Sequence, residues 1–387
     1  LWFPTAAGKT EAYLGLSIFT LALRRRRGRL TETGGAGTGV LSRYTLRMLT
    51  IQQFRRALVA ITACDYLRVK DWRPKGYPEE EKNLWGTTRF SIGLWVGQEV
   101  TPNHLVDHKG WDPVERREVR YPGAVSRLMG FDIYAGTGVR IKRMGENEPA
   151  QVLDCPVCHS ILAVPRKQAL PPKEYEIHFL VSSPNPPSPI KSNMEGLGFV
   201  IKNFKITSLP RPRHFVISIT FSTQQKIGAD HIDRWWRNYI LPALGPNCKS
   251  QFSKASRPGY FLRRWDIQGE PVDFEIHCPN PQCELNKLEW FELIPGPSGE
   301  KQLSAVLPPF QILGKRGFCK GVPISAYVVD DQIYHRCPSL VIATVDKFAR
   351  LSYEPRAAAL FGNVTKFDTC WGFYRDEALP DRGGLHE

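Results

Sequence analysis

The chain has 387 residues, 42% of them hydrophobic, and 52 Lys and Arg against 38 Asp and Glu leave it a net charge of +14. That length and apolar share support two or three domains with buried cores, and nine cysteines are too few for a disulfide scaffold of this size. The basic excess favours a polyanionic partner over an acidic protein surface, and the longest strongly apolar stretch, Leu14 to Leu23, is about half of what a membrane span needs, so no membrane partner is expected.

The first segment, Phe3-Pro4-Thr5-Ala6-Ala7-Gly8-Lys9-Thr10, reads as a phosphate-binding loop. Small residues let successive backbone N–H groups turn inward, while the helix that follows aims its positive end at the same point. Pro4, Thr5, Ala6, Ala7 and Gly8 would cradle the nucleotide, expected to be ATP. Lys9 would reach the β- and γ-phosphates, and the Thr10 hydroxyl would ligate a bridging Mg2+. From Glu11 to Leu23 apolar residues recur at helical spacing, as a helix packed on a sheet requires. Only Leu1, Trp2 and Phe3 remain to form the strand before the loop and residue 1 is not Met, so the chain is expected to be a fragment of a longer protein.

A basic run, Arg24 to Arg29, and a Gly/Thr-rich loop, Thr31 to Gly39, follow. Next come a strand at Val40 to Tyr44, a polar segment Thr45 to Thr50 and a helix from Ile51 to about Val69. A second strand, Phe90 to Val96, leads into Gly97-Gln98-Glu99-Val100-Thr101-Pro102-Asn103. This alternation predicts a parallel α/β sheet. From about residue 104 prolines crowd in, strand-like stretches at Phe199 to Ile206 and Phe215 to Phe221 alternate with loops, and an amphipathic helix at Asp230 to Leu241 carries Trp235 and Trp236. The pattern reads as a large irregular α+β insertion over 104–330. The sheet is expected to resume at Ser339 to Phe348, so that 1–103 and 331–387 form one interrupted lobe.

Cys155-Pro156-Val157-Cys158 is a tight turn that points two thiolates at one centre, and Cys278-Pro279-Asn280-Pro281-Gln282-Cys283 is a wider version. Together Cys155, Cys158, Cys278 and Cys283 suit a closed, tetrahedral, structural Zn2+ site, a pattern of a reducing compartment and hence a cytoplasmic protein. His159 and His277 flank the pairs as polar neighbours or substitute ligands. Cys64, Cys248, Cys319, Cys337 and Cys370 lack partner spacing and read as buried apolar residues. Arg234-Trp235-Trp236-Arg237 and Tyr260-Phe261-Leu262-Arg263-Arg264-Trp265 would serve either core packing or stacking on bases.

In order, the Pro-Thr-x-x-Gly-Lys-Thr loop, Tyr44-Thr45-Leu46-Arg47 with Gln52-Gln53, and Ile342-Ala343-Thr344-Val345-Asp346 resemble motifs I, Ia and Ib of superfamily-2 helicases. The longer phrases Arg43 to Gln53, Ile92-Gly93-Leu94-Trp95-Val96-Gly97, Thr101-Pro102-Asn103 and Ala343 to Ala349 are similar to the large helicase-like subunit of bacterial DISARM phage-defence systems. The resemblance implies a RecA-like lobe driven by ATP, with Arg47, Gln52 and Thr344 holding phosphates of one nucleic-acid strand, DNA before RNA, and with other defence-complex subunits as partners. Contacts to phosphate are sequence-independent, as stepping along any strand requires. The carboxylate pair of motif II has one late candidate, Asp376-Glu377, but Cys370 to Arg375 is no continuous apolar strand. Motif II and a second lobe are therefore expected beyond Glu387, and the 387-residue piece alone is expected not to hydrolyse ATP. A zinc-containing nucleic-acid-binding module that uses ATP as a switch, or does not hydrolyse it, is the alternative. A P-loop nucleotide kinase is disfavoured for want of an acceptor-phosphate site.

Overall fold

A computed structural model describes residues 8–28, 31, 33, 35–45, 47–77, 84–86, 88–112, 116–130, 147–164, 169–190, 195–196, 198–209, 213–265, 271–287, 293–295, 301–303, 323–349, 351–368 and 372–374. They cluster into two compact units, one drawn from Leu1–Thr101, Leu288–Gly317 and Ser325–Glu387, the other from Pro102–Lys287 and Phe318–Ile324.

Helix α1 (Lys9–Gly28) opens the first unit. It carries Glu11 in its first turn and Arg25, Arg26 and Arg27 in its last, charges that complement the helix dipole. The basic run expected after the helix is thus largely its final turn. Arg24 donates from this turn to the carbonyls of Ala36 and Thr38, at 3.0 and 3.2 Å, and so anchors the segment entering strand β1 (Val40–Tyr44). Helix α2 (Arg47–Val69) starts four residues before the expected Ile51. Its buried positions Thr50, Gln53, Phe54, Ala57, Leu58, Ile61, Thr62, Asp65 and Arg68 recur at three- and four-residue intervals, one face of the helix. Strand β2 (Ile92–Trp95) is buried throughout.

The second unit is built on β3 (Glu174–Ser182), β4 (Phe199–Ser208) and β5 (His214–Thr223), in antiparallel order β4-β5-β3, with the short strands Glu195–Gly196 and Lys249–Ser250 at the edges. Helix α3 (Ala229–Trp235) runs into a π turn at Trp236–Ile240 and a last turn at Leu241–Leu244, so the expected single helix is interrupted. Both indoles belong to the core: Trp235 stacks on Phe199 with centroids 4.5 Å apart at 7°, and Trp236 lies 4.3 Å from Phe179. Of the two roles open from sequence, core packing or stacking on bases, the pair takes core packing. Tyr260 and Phe261 are likewise fully buried, at the start of the hairpin β6 (Tyr260–Trp265) and β7 (Pro271–Ile276).

The chain re-enters the first unit through β8 (Ala326–Tyr327), helix α4 (Asp330–Arg336), β9 (Leu340–Thr344) and helix α5 (Val345–Ala349). The sheet order is β1-β9-β2-β8, all parallel. Its middle strands are continuous apolar runs, as burial on both faces demands. Leu41, Val341, Ala343, Trp95 and Tyr327 meet Ile333, Tyr334, Ala357 and Leu360 on one face. Helix α2 packs on β9, β2 and β1 from the other face. The chain is a mixed α/β structure with a four-stranded parallel sheet.

Candidate functional site

In an open parallel sheet, ligands gather beyond the carboxyl ends of the strands. Those ends are aligned here: Tyr44 pairs with Thr344, and Ala343 with Trp95. Arg47 forms the first residue of α2 directly after β1, and Gln52 is exposed on that helix. Thr344, expected on the same surface, is instead fully buried because it ends a central strand covered on both faces, and its Oγ1 has no hydrogen-bond partner. Exposed Arg43, with its guanidinium 5.8 Å over the Phe348 ring, joins β1 to α5 at this edge and was not singled out from sequence.

A buried polar chain fastens three strand ends together. Trp95 Nε1, at the end of β2, donates to Tyr334 Oη at 3.0 Å; Tyr334 donates to Asp330 Oδ2 at 3.3 Å; and Lys347, two residues into α5, ion-pairs with the same oxygen. Burial, only partly offset by Lys347, pushes the Asp330 carboxyl above its ordinary value. The same burial, with Asp330 nearby, pushes the Tyr334 phenol up.

At the N-terminal side, Gly8 has φ of +73°, a left-handed conformation that costs a glycine little, and α1 begins at the next residue, Lys9. Lys9 and Thr10 are half-buried. An ion pair between Glu11 and Arg56 ties the first turn of α1 to α2. Pro4, Thr5, Ala6, Ala7, Asp376 and Glu377 lie outside the described residues.

The second unit gathers Cys155, Cys158, Cys278 and Cys283 so that all four Sγ atoms lie within 4.8 Å of one another. Cys158 and Cys278 are 3.4 Å apart, Cys155 and Cys283 3.8 Å, far beyond the ~2.05 Å of a disulfide. A tetrahedron with metal–sulfur bonds of about 2.3 Å has edges of about 3.8 Å, so the set fits a thiolate-ligated ion of zinc's size. Each turn supplies its own backbone bonds: Cys155 N to Ser160 O at 2.9 Å, His159 N to Cys155 O at 2.9 Å, and Cys283 N to Asn280 O at 3.1 Å. Asn280 bridges them, its Nδ2 donating to Ser160 Oγ at 3.1 Å and lying 3.8 Å from Cys158 Sγ. Cys158 takes hydrogen bonds from Cys155, Cys278 and Cys283, which hold its thiol far below the usual range, and Cys278 is correspondingly pushed up.

Gly259 explains how such distant turns meet. Its N–H donates to Leu162 O beyond the first knuckle, and its carbonyl accepts from His277 N–H just before the second. A Cβ there would come within 2.7 Å of Leu162. His277 turns away from the thiols to Glu275, its Nε2 3.1 Å from Oε2, and His159 is exposed. Cys248 and Cys337 are buried, Cys64 is half-buried, and Cys319 and Cys370 lie outside the described residues. Burial pushes the Cys64 and Cys248 thiols up to about 11.

No protein-family model matches the chain. Over 372 residues it is 25% identical to the DISARM protein DrmA of Bacillus paralicheniformis, an alignment covering 95% of this chain and 19% of that relative. The chain is similar to a DISARM protein. It spans about a fifth of the relative's length. Among the described residues, no helix is long and apolar enough to cross a membrane.

Proposed function

We propose that the chain belongs to an ATP-dependent DNA translocase or helicase of a phage-defence assembly, and that its first unit is part of a RecA-like motor lobe. The observation that carries this reading is the register of β1 on β9, with Tyr44 opposite Thr344 at the carboxyl edge. The two segments that resemble strand-contacting motifs, far apart in sequence, are neighbours there, and α1, which begins just after Gly8, packs on α2 and β1. Similarity to DrmA supports the phage-defence setting.

In this reading Lys9 would hold the β- and γ-phosphates of ATP, the Thr10 hydroxyl would ligate Mg2+, and Thr5 to Gly8 would supply backbone donors after the turn set by Pro4. Arg47 and Gln52 contact phosphates of the tracked strand at the rim of the edge. Bound there, Mg2+ would supply charge neutralisation at the transferred phosphate, with Thr10 as its ligand and Lys9 beside it. The four thiolates would hold Zn2+ as a structural cross-link of the second unit rather than as a reaction centre, because four protein ligands leave a tetrahedral ion no open position. The test is ATP hydrolysis by the full-length protein with and without single-stranded DNA. Strand-stimulated turnover supports the motor, and nucleotide binding without turnover on any strand overturns it.

A further inference from the structure

A polar cleft in the second unit lies on the face of the antiparallel sheet opposite its core. A β-bulge between Ile201 and Asn203 turns the strand so that Ile201 faces the core before it, and Phe204 and Ile206 after it. The bulge thereby brings Asn203, Lys205 and Thr207 onto the outer face. Two cross-strand rows result, Asn203–Thr220–Glu176 and Lys205–Ser218–His178. The Asn280–Gln282 loop of the second cysteine knuckle roofs them, leaving a cavity of about 70 Å³. That is room for several waters, or for one phosphate group.

Some of the lining is already committed. His178 Nδ1 and Ser218 Oγ are 2.8 Å apart and both residues are buried, and Asn280 serves the knuckles. The rest is not. Thr207 Oγ1 is buried and makes no hydrogen bond, and Lys205, Asn203 and Thr220 have no side-chain partner among the described residues. A buried unpartnered hydroxyl beside an unpaired ammonium and a free amide is a donor set waiting for an acceptor. At the mouth stands one carboxylate, Glu176, 58% exposed and 4.0 Å from His178 Nε2. Lys205 is the one ammonium in the lining and would meet a phosphate oxygen there.

We propose that this cleft binds one phosphodiester group of a nucleic-acid backbone, making the knuckle-roofed face of the second unit a strand contact in addition to the parallel-sheet edge. The proposal rests on the nucleic-acid partner proposed above and extends it to a surface that no motif marks.

The experiment measures binding of fluorescein-labelled oligo(dT) to the full-length protein without nucleotide, by anisotropy over a range of KCl. Lys205→Ala is expected to weaken binding several-fold on any sequence and to lower the slope of log Kd against log[KCl] by about 0.7, the single-strand value per phosphate. Thr207→Val, which keeps the shape and removes the hydroxyl, is expected to weaken binding without changing the slope. Lys202→Ala, on the neighbouring exposed bulge residue, is expected to leave both unchanged. Wild-type binding and slope in Lys205→Ala, or equal loss in Lys202→Ala, overturns the assignment. Failure of the wild-type protein to bind any oligonucleotide would overturn the nucleic-acid reading itself, together with this site.

Discussion

Cys158 Sγ lies 3.4 Å from Cys278 Sγ although 120 positions separate the residues, and with Cys155 and Cys283 they form a four-thiol cluster. Metal analysis of the purified protein should find about one zinc per chain. Cys155→Ser should lower thermal stability and zinc content together while leaving nucleotide affinity near wild type, because a structural site contributes folding energy. Gly259→Ala should do the same through sterics alone, since its methyl would push Leu162 and the first knuckle away from the second. Four thiols that react freely in the native protein, with no metal bound, would refute the structural-zinc claim.

Lys347 and Asp330 pair inside the first unit, both nearly inaccessible to solvent. Lys347→Met leaves a buried carboxylate alone and should cost about 3–5 kcal/mol, whereas Lys347→Met with Asp330→Leu should recover most of that loss. Urea melts of the three proteins measure it. A double variant no more stable than the single one would show that the pair is not the source of the loss.

Asp65 sits between Arg68, 2.8 Å away, and Arg89, 3.3 Å away, and accepts from Phe90 N–H at 2.9 Å. Burial alone would raise its pKa, but the two guanidinium groups and the hydrogen bonds outweigh it, and the carboxyl is held below its ordinary value. A depressed folded pKa contributes stability that is fully present above the unfolded value near 3.9 and is lost as pH falls through the folded value. Asp65→Asn should therefore cost about 3–5 kcal/mol at pH 7 and flatten the acid limb of the stability–pH curve. An unchanged acid limb in chemical denaturation would contradict this.

Trp235→Ala should destabilise the second unit by about 3–5 kcal/mol, because it empties the space where the indole stacks on Phe199. Oligonucleotide affinity of the folded fraction should stay within twofold of wild type. A large loss of affinity with unchanged melting would restore the base-stacking role that burial argues against.

These residues mark the boundary of what could be read from the sequence. The parallel sheet was legible because β2 and β9 are short apolar runs leading into polar turns, a pattern set by local chemistry. The thiols were legible because each pair has knuckle spacing. The early start of α2 was hidden by Thr45, Arg47 and Thr50, polar residues after β1 that suit a turn as well as a first helical turn. Trp235 and Trp236, between Arg234 and Arg237, carry no mark in sequence of whether a core or a base will cover them, and both roles stay open until burial decides between them. The Lys347–Asp330 pair joins the helices that follow β8 and β9, two strands with β2 between them, and the outer-face cleft depends on a one-residue bulge; neither leaves a periodic trace. Thr344 was assigned to a surface through its motif, while its depth is set by the helices that cover β9.

The most direct test of the central claim is phosphate release by the full-length protein carrying Lys9→Ala, measured with saturating single-stranded DNA. Removing the ammonium that neutralises charge on the transferred phosphate should reduce strand-stimulated turnover by on the order of 100-fold or more, while DNA binding without nucleotide is retained. Turnover equal to wild type would contradict the assignment of this loop, and with it the motor reading of the chain.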